Sequence, residues 1–292
     1  MPDGFLLMDK EGGWTSHDVV AKVRSIVGVR KVGHAGTLDP MATGLLVLAI
    51  GRATRLLRFI QELVKTYEAE ALFGVATDSL DADGEELERK PMSVTRSQVD
   101  QAFADLAGDI LQIPPMVSAV KVKGERLHRI ARRGEEVERE PRPVTIHDIA
   151  VSDFEDGEFP VVKFTTRCSS GTYVRLLADD AAISLGGRGH LTALRRTKIG
   201  SLTVGDANSI DQLEACVADG DLESVLISPA QALSHLPSLD LDPSQADLVR
   251  RGSRLAAGNG MASGPIRLLD GPDLVAVYRC DGDKLIPEVV LA

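Results

Sequence analysis

The sequence of 292 residues contains little cysteine, few aromatic residues and no long apolar run. Its three cysteines, Cys168, Cys216 and Cys280, lie far apart, and an odd number without metal-type spacing is typical of a reduced, cytosolic protein. No apolar run approaches the roughly 20 residues that span a bilayer. Because no basic region precedes an apolar one at the N-terminus, we expect no secretory signal. These features predict a cytoplasmic protein that does not enter a membrane.

The sequence also lacks the motifs that hold common cofactors. It has no Walker A pattern and no His-Glu-x-x-His pattern of a zinc enzyme. Gly258-Asn259-Gly260 lacks the preceding strand and following helix of a dinucleotide-binding loop, so we interpret it as an ordinary loop. We therefore expect no cofactor and no metal site.

Positive charge is scarce overall but is concentrated in two segments. The net charge of −10, taken globally, argues against a nucleic-acid-binding protein, because phosphate contacts supply much of the affinity for RNA. However, residues 121–142 hold eight Lys or Arg against five Glu, and residues 163–200 hold seven against two Asp. Acidic residues collect at 78–88 and 206–223. This distribution fits either a protein with one basic RNA-binding face or ordinary solvated surfaces.

Hydrophobic patterning predicts a domain that mixes strands and helices. Apolar or alternating runs predict strands at 5–8, 45–50, 67–73, 144–154 and 161–168. Capping residues and apolar periodicity predict helices capped by Ser16, Thr95 and Ser209, and further helices around 56–60, 124–134 and 176–183. The acidic stretch 78–88 is predicted to be a loop or a hairpin tip, and 191–199 has a mixed pattern.

The character of the sequence changes near residue 237. Asp242-Pro243-Ser244-Gln245 is typical of a helix cap followed by proline at the first helical position. Several glycines then separate short apolar runs, which predicts a small β-rich module at 237–292. A module of about 55 residues often needs support from a packing partner.

The most informative segment is the glycine-rich stretch at residues 31–44. It contains Asp39 directly before Pro40, which disfavours helix at position 39, and it leads into the apolar run 45–50. Glycine permits tight turns and a close approach of the backbone to a ligand. Asp39 is therefore a candidate nucleophile or base, although Asp-Pro is also a common turn element without a chemical role.

Four motifs between residues 4 and 200 resemble, in the same order, those of the TruB family of tRNA pseudouridine synthases. The motifs are Asp9-Lys10 with Gly13-Trp14-Thr15-Ser16-His17-Asp18; Gly33-His34-Ala35-Gly36-Thr37-Leu38-Asp39-Pro40 with Ala42 and Gly44; Lys65-Thr66-Tyr67-Glu68 with Gly74 and Thr77-Asp78; and Gly171-Thr172-Tyr173-Val174-Arg175 with His190 and Leu194-Arg195-Arg196.

The resemblance implies an α+β fold with a mixed, largely antiparallel central sheet and flanking helices. It implies a catalytic domain at 1–236, a mobile RNA-binding insertion at about 114–142 and a PUA-like RNA-binding domain at 237–292. The implied activity is isomerisation of uridine 55 in the T-loop of tRNA to pseudouridine, with the tRNA T-arm as the RNA partner. Such an isomerisation needs no cofactor, and we expect a monomer that requires no protein partner.

The resemblance also implies which residues are catalytic. Asp39 is the implied nucleophile; it attacks the ribose, or a ribose proton is lost first to give a glycal, and the sequence is compatible with both routes. Arg175 is the implied cation that keeps Asp39 ionised. Tyr67 is implied to stack on the target base and to help remove the proton from its C5 atom. From the residues alone, Arg175 also fits a surface strand end, and Tyr67 also fits a core or cross-strand position.

A second set of residues is implied to bind the RNA. His34 corresponds to a residue that contacts the RNA where the everted base leaves space, and Leu194 corresponds to an apolar pocket wall. Tyr173 lies in the same motif as Arg175 and is assigned to substrate binding. The predicted phosphate contacts are Lys10, Arg195 and Arg196. The alternatives are a structural histidine, an ordinary core leucine and exposed basic residues that contact no RNA.

Overall fold

The computed structural model of the protein describes residues 3–116, 121–122, 124–126, 130, 133, 135, 137–258 and 260–291. The centre of the predicted mobile insertion at 114–142 and much of the predicted helix at 124–134 lie outside these residues. Within the described ranges, no helix is long and apolar enough to cross a membrane.

Strands and helices mix through the first part of the chain, as predicted. The strands are β1 (Gly4–Lys10), β2 (Val32–His34), β3 (Thr43–Ile50), β4 (Lys65–Phe73), β5 (Val75–Thr77), β6 (Glu86–Arg89), β7 (Gly108–Gln112), β8 (Lys121–Val122), β9 (Glu125–Arg126), β10 (Arg142–Glu155), β11 (Val161–Cys168), β12 (Gly189–Ile199) and β13 (Leu202–Thr203). The helices are α1 (Ser16–Val27), α2 (Leu57–Gln61), α3 (Arg96–Ala104), α4 (Val174–Ser184), α5 (Ile210–Ala218) and α6 (Pro229–Ala232). Because β8 and β9 pair with each other, the predicted helix at 124–134 does not begin at Gly124.

Seven strands follow one another across the central sheet, in the order β1-β3-β12-β4-β11-β10-β7. All of these neighbours pair antiparallel except β3 and β12, which pair in parallel over a short stretch. The expected mixed, largely antiparallel sheet is therefore confirmed. The stretch 191–199, whose pattern was mixed, belongs to β12 in the middle of the sheet, where side chains on both faces are buried.

Helix α1 confirms a predicted element and corrects its cap. The N-cap is Thr15, whose hydroxyl accepts from the backbone N–H of Asp18 while the Asp18 carboxylate accepts from Thr15, a complete capping box. Ser16, predicted as the cap, is instead the first helical residue and points into the protein. The helix ends as predicted at Gly28, which adopts a left-handed conformation with φ 67°.

One face of the sheet is covered by α1, α3 and α4. Phe103 of α3 packs on the ring of Phe164 with 4.6 Å between centroids, and it stacks on Phe73 at 6.4 Å. Val19, Val20 and Val23 provide the apolar side of α1 in the same core.

The C-terminal β-rich module is present as predicted. Its elements are β14 (Ser238–Asp240), α7 (Pro243–Arg250), β15 (Leu255–Ala256), β16 (Gly264–Asp270), β17 (Asp273–Asp281) and β18 (Lys284–Val290), with the strands in the order β14-β16-β17-β18-β15. Asp242 caps α7 and Pro243 occupies its first turn, as expected. Leu274, Val277 and Val289 of the module share a buried core with Phe5 and Leu45 of the central sheet. The sheet therefore supplies the support that so small a module needs.

Candidate active site

Asp39 lies in the segment between β2 and β3, and this segment leads directly into β3, an inner strand of the central sheet. Thr43 and Gly44, at the start of β3, pair in parallel with Arg195 and Arg196 of β12. Gly44 has φ +98°, and a Cβ atom there would lie 2.3 Å from the Arg196 carbonyl oxygen. The two strands therefore approach this closely only because position 44 is glycine.

Buried polar side chains hold the backbone on both sides of Asp39. The Arg196 guanidinium donates through Nη2 to the Gly36 carbonyl at 3.0 Å and through Nε to the Leu45 carbonyl at 2.8 Å. The Ser16 hydroxyl accepts from the Leu38 N–H at 2.8 Å and donates to the Leu38 carbonyl at 3.0 Å. The position of Asp39 is thus fixed by its neighbours along the chain.

The structure contradicts two of the three predicted phosphate contacts. Lys10 and Arg196 are each only 1% exposed. The Lys10 ammonium donates to the carbonyls of Trp14 at 2.7 Å and Pro40 at 3.1 Å, and burial lowers its pKa to about 8. Both cations satisfy loop carbonyls that would otherwise be buried without a partner. Arg195 lies at the surface, where it pairs with Asp9 at 2.7 Å, and its RNA contact stays a prediction.

Arg175 joins Asp39 to a second carboxylate. The Arg175 side chain lies in the first turn of α4 and is 4% exposed. Its Nε atom lies 3.3 Å from Asp39 Oδ2, and its Nη1 atom lies 2.9 Å from Asp81 Oδ2. The Asp81 side chain is also 4% exposed, whereas that of Asp39 is 36% exposed. Asp39 is therefore the carboxylate of this group that a bound molecule can reach.

The electrostatic environment raises the pKa of Asp39. Burial of the carboxyl group is the largest cause, and the negative charges of Asp81 and Asp83 raise the pKa further. The positive charge of Arg175 opposes these effects and lowers the pKa. Arg175 therefore does what the predicted cation should do, because it favours the ionised form of a carboxylate that its surroundings would protonate.

Asp39 lies in the wall of an open cavity of about 510 Å³. Tyr67, Tyr173, Arg175, Leu194 and the buried Arg196 line the same cavity, so six of the sequence-predicted site residues come together. Tyr67 is 7% exposed; burial raises the pKa of its hydroxyl, and the neighbouring Arg196 partly offsets this rise. An aromatic ring, an apolar wall and a carboxylate–guanidinium pair around one cavity suit a flat polar ligand such as a nucleobase.

His34 lies beside the cavity rather than in the lining that the described residues form. Its carbonyl oxygen accepts from Nε2 of the lining residue Gln61 at 3.5 Å. Its ring meets that of His17 edge-on, with 5.5 Å between centroids. Burial and the neighbouring His17 both lower the pKa of His34, which favours the neutral imidazole.

Sequence reasoning missed Asp81 and the loop that carries it. Ser79 donates to Asp81 Oδ1 at 2.5 Å, and Arg175 Nη1 donates to the Ser79 carbonyl at 2.7 Å. Leu191 of β12 donates its N–H to the Leu80 carbonyl, which attaches this loop to the sheet. The other acids of the stretch 78–88 are exposed, as an acidic run usually is. Nothing in the sequence distinguishes the one buried carboxylate, Asp81, from them.

The structure does not favour a basic RNA-binding face at 163–200, which is one of the two alternatives that the charge distribution left open. Most of its cations are buried or already paired with carboxylates of the protein. These residues are Lys163, Arg175, Arg188, Arg195 and Arg196. Arg167 and Lys198 remain exposed. Charge counting along the sequence could not decide between the two alternatives, because it treats a buried guanidinium as an exposed one.

Comparison with known proteins gives the class to which this fold and site belong. Residues 24–174 match the sequence model described as the TruB family pseudouridylate synthase N-terminal domain. Two solved chains share the fold at a TM-score of 0.76 over 99% of this chain and 85% of theirs. They are titled "Structure of H/ACA RNP bound to a substrate RNA containing 2'-deoxyuridine" (23% identity) and "Crystal Structure of a Cbf5-Nop10-Gar1 Complex" (25% identity). The fold is that of a pseudouridine synthase with a C-terminal β module, which confirms the predicted fold class.

Curated relatives extend the match over the whole chain. The tRNA pseudouridine synthase B of Thermobifida fusca (strain YX) is 46% identical, over 100% of this chain and 99% of that protein. That of Arthrobacter sp. (strain FB24) is 44% identical, over 97% of this chain and 91% of that protein. The chain belongs to the TruB family of pseudouridine synthases.

Proposed function

We propose that the protein is a tRNA pseudouridine synthase that converts uridine 55 in the T-loop of tRNA to pseudouridine. The names of curated relatives that match nearly the full chain support the tRNA substrate. The observation that carries the proposal is the position of Asp39. Its partly exposed carboxylate lies in a cavity wall, 3.3 Å from a buried guanidinium and beside Tyr67.

The cavity receives the target uridine after it leaves the T-loop. Extrusion of a nucleotide costs a few kcal/mol, and stacking on an aromatic ring returns about 1–3 kcal/mol per base. Tyr67 provides that ring, and Leu194 provides an apolar wall of the same cavity. Tyr173 also lines the cavity and contributes to substrate binding.

The isomerisation detaches uracil from its ribose and rejoins it through carbon. The bond between N1 and C1′ breaks, the base rotates, and a bond between C5 and C1′ forms. Asp39 acts as the ionised nucleophile, with Arg175 stabilising its negative charge. Tyr67 assists removal of the proton from C5, and N1, released from C1′, ends the reaction carrying a proton, so the net change is an isomerisation. Attack on the ribose and formation of a glycal are both compatible with this arrangement.

RNA contacts outside the cavity complete the proposal. Arg195 and His34 contact the RNA near the everted nucleotide, and the insertion at about 114–142, whose centre lies outside the described residues, is assigned to RNA binding. We assign residues 1–236 to the catalytic domain and 237–292 to a PUA-like RNA-binding domain. A cytoplasmic location and action as a monomer without a protein partner remain predictions from the sequence.

The proposal is tested with the purified protein alone and an unmodified tRNA transcript. Position-resolved mapping is expected to find pseudouridine at position 55 after incubation with the wild type. Asp39→Asn should form none, because Asn cannot act as the nucleophile, while its Kd for the transcript stays close to that of the wild type. Asp83→Asn removes a nearby exposed carboxylate and is the matched control that keeps the activity.

Two results would contradict the proposal. Normal turnover by Asp39→Asn would refute the role of Asp39. RNA binding without any isomerisation by the wild type would favour a non-catalytic RNA-binding protein, or an enzyme that depends on a guide RNA or a protein partner.

A further inference from the structure

Four basic side chains line the cavity within the described part of the chain: Arg58, Lys65, Arg175 and Arg196. Arg175 and Arg196 are buried, and Lys65 is 6% exposed with its ammonium donating to the Gln61 and Leu63 carbonyls. The Arg58 side chain is 49% exposed. Of the four, Arg58 is therefore the cation at the rim that RNA can reach.

The rim is where phosphates of a bound strand must lie. When a base enters a cavity, its sugar follows to the wall and the flanking phosphates stay at the mouth. A guanidinium presents two N–H edges that match phosphate oxygens. The position of Arg58 thus corresponds to that of the backbone next to the everted nucleotide.

Arg58 is held in place by the C-terminal module. Its Nη2 atom lies 2.6 Å from Oε2 of Glu288 in β18, a side chain that is only 12% exposed. Arg279 of β17 pairs with the other carboxylate oxygen of Glu288. The Arg58 guanidinium also lies 4.7 Å from the centroid of the Phe59 ring.

The geometry leaves part of the guanidinium available. The hydrogen bond of Arg58 within the described residues uses one of the two hydrogens on Nη2, so other N–H groups of the guanidinium can donate to a phosphate. Arg58, Arg279 and Glu288 together carry one net positive charge, which the exposed Glu62 of the cavity lining offsets. The attraction for a phosphate therefore comes from the exposed Arg58 guanidinium itself.

We propose that Arg58 binds a backbone phosphate beside the target nucleotide and that Glu288 is the positioning residue that orients it. This inference rests on the proposed function. It gives the C-terminal module a part in forming the RNA-binding rim of the catalytic cavity, in addition to any RNA contact of its own.

Arg55 provides a matched control on the same segment. It is exposed, and its Nη1 atom donates to the Val290 carbonyl at 2.5 Å, so it too contacts the C-terminal module. It is absent from the cavity lining that the described residues form. Arg55→Ala therefore removes one positive charge and one contact with the module without altering the cavity.

The test compares Arg58→Ala, Arg58→Lys, Arg55→Ala and Glu288→Gln in the full chain, with a T-arm stem-loop RNA. Arg58→Ala should weaken binding about tenfold and reduce the slope of log Kd against log salt by about 0.7–1. Arg55→Ala should leave both within error of the wild type. Arg58→Lys and Glu288→Gln keep the charge of residue 58, so the slope should persist while the Kd for the RNA rises several-fold.

Thermal unfolding of each variant separates a lost RNA contact from a lost fold. Equal effects of Arg58→Ala and Arg55→Ala would overturn the proposal, as would an unchanged salt slope in a folded Arg58→Ala variant. If Arg58→Ala does not fold, an unchanged Kd in both Arg58→Lys and Glu288→Gln would overturn it. The salt slope is measured without catalysis, so this test stands apart from a failure of the wild type to form pseudouridine.

Discussion

Replacing Asp81 by Asn tests whether a second carboxylate holds Arg175 in place for Asp39. Asp81 Oδ2 lies 2.9 Å from Arg175 Nη1, and both side chains are 4% exposed. Removing one partner of a buried ion pair costs about 3–5 kcal/mol. Because Asn retains an oxygen that accepts from Arg175, we expect about 3 kcal/mol, which lowers Tm by about 6 °C in a protein of this size.

The same substitution changes the pH dependence of the reaction. The charge of Asp81 raises the pKa of Asp39, so its removal lowers that pKa and leaves Asp39 ionised in more acidic solution. The acid limb of kcat/KM should therefore move to lower pH. The rate at neutral pH should decrease several-fold, because the neutral Asn side chain holds Arg175 less firmly while leaving it beside Asp39.

Single-turnover pseudouridine formation across acidic to neutral pH, together with thermal unfolding, measures both effects. Asp83→Asn is the control, because Asp83 is exposed and also raises the pKa of Asp39. It should move the acid limb in the same direction but keep the Tm and the neutral-pH rate. The reasoning is refuted if Asp81→Asn keeps the wild-type Tm and rate, or if its acid limb moves to higher pH.

Two further substitutions test the buried cations that hold the Asp39 loop. Lys10→Met should leave the salt slope of RNA binding unchanged, because the buried Lys10 ammonium contacts no phosphate. It should lower the free energy of unfolding by about 1–3 kcal/mol, because the loop carbonyls lose their donor. A salt slope reduced by about one would show that Lys10 does contact RNA. Arg196→Lys should reduce the single-turnover rate about tenfold or more with little change in RNA affinity, because one ammonium cannot reach the carbonyls of both Gly36 and Leu45. A wild-type rate would show that the Asp39 loop does not depend on these two hydrogen bonds.

Local features of the fold could be predicted from the sequence, and non-local ones could not. The capping box at Thr95 and the cap at Asp242 depend on residues three positions apart, so the sequence displays them directly. The central position of β12 depends on Gly44, a residue about 150 positions earlier in the chain, and no local pattern records that pairing.

The candidate site divides in the same way. Asp39, Tyr67 and Arg175 were predicted through the family resemblance, and the structure places them around one cavity. The contributions of Lys10 and Asp81 depend on burial, which arises only when distant segments pack together. A buried lysine that donates to loop carbonyls and a solvated lysine that binds phosphate cannot be distinguished from sequence alone.

The most direct test of the central claim is a structure of Asp39→Asn bound to a T-arm stem-loop RNA. We predict that uridine 55 is everted into the cavity, with its base stacked on Tyr67 and its ribose C1′ within about 3–3.5 Å of the side chain at position 39. A complex in which the uridine stays stacked in its loop, or enters the cavity with the ribose turned away from residue 39, would contradict the account.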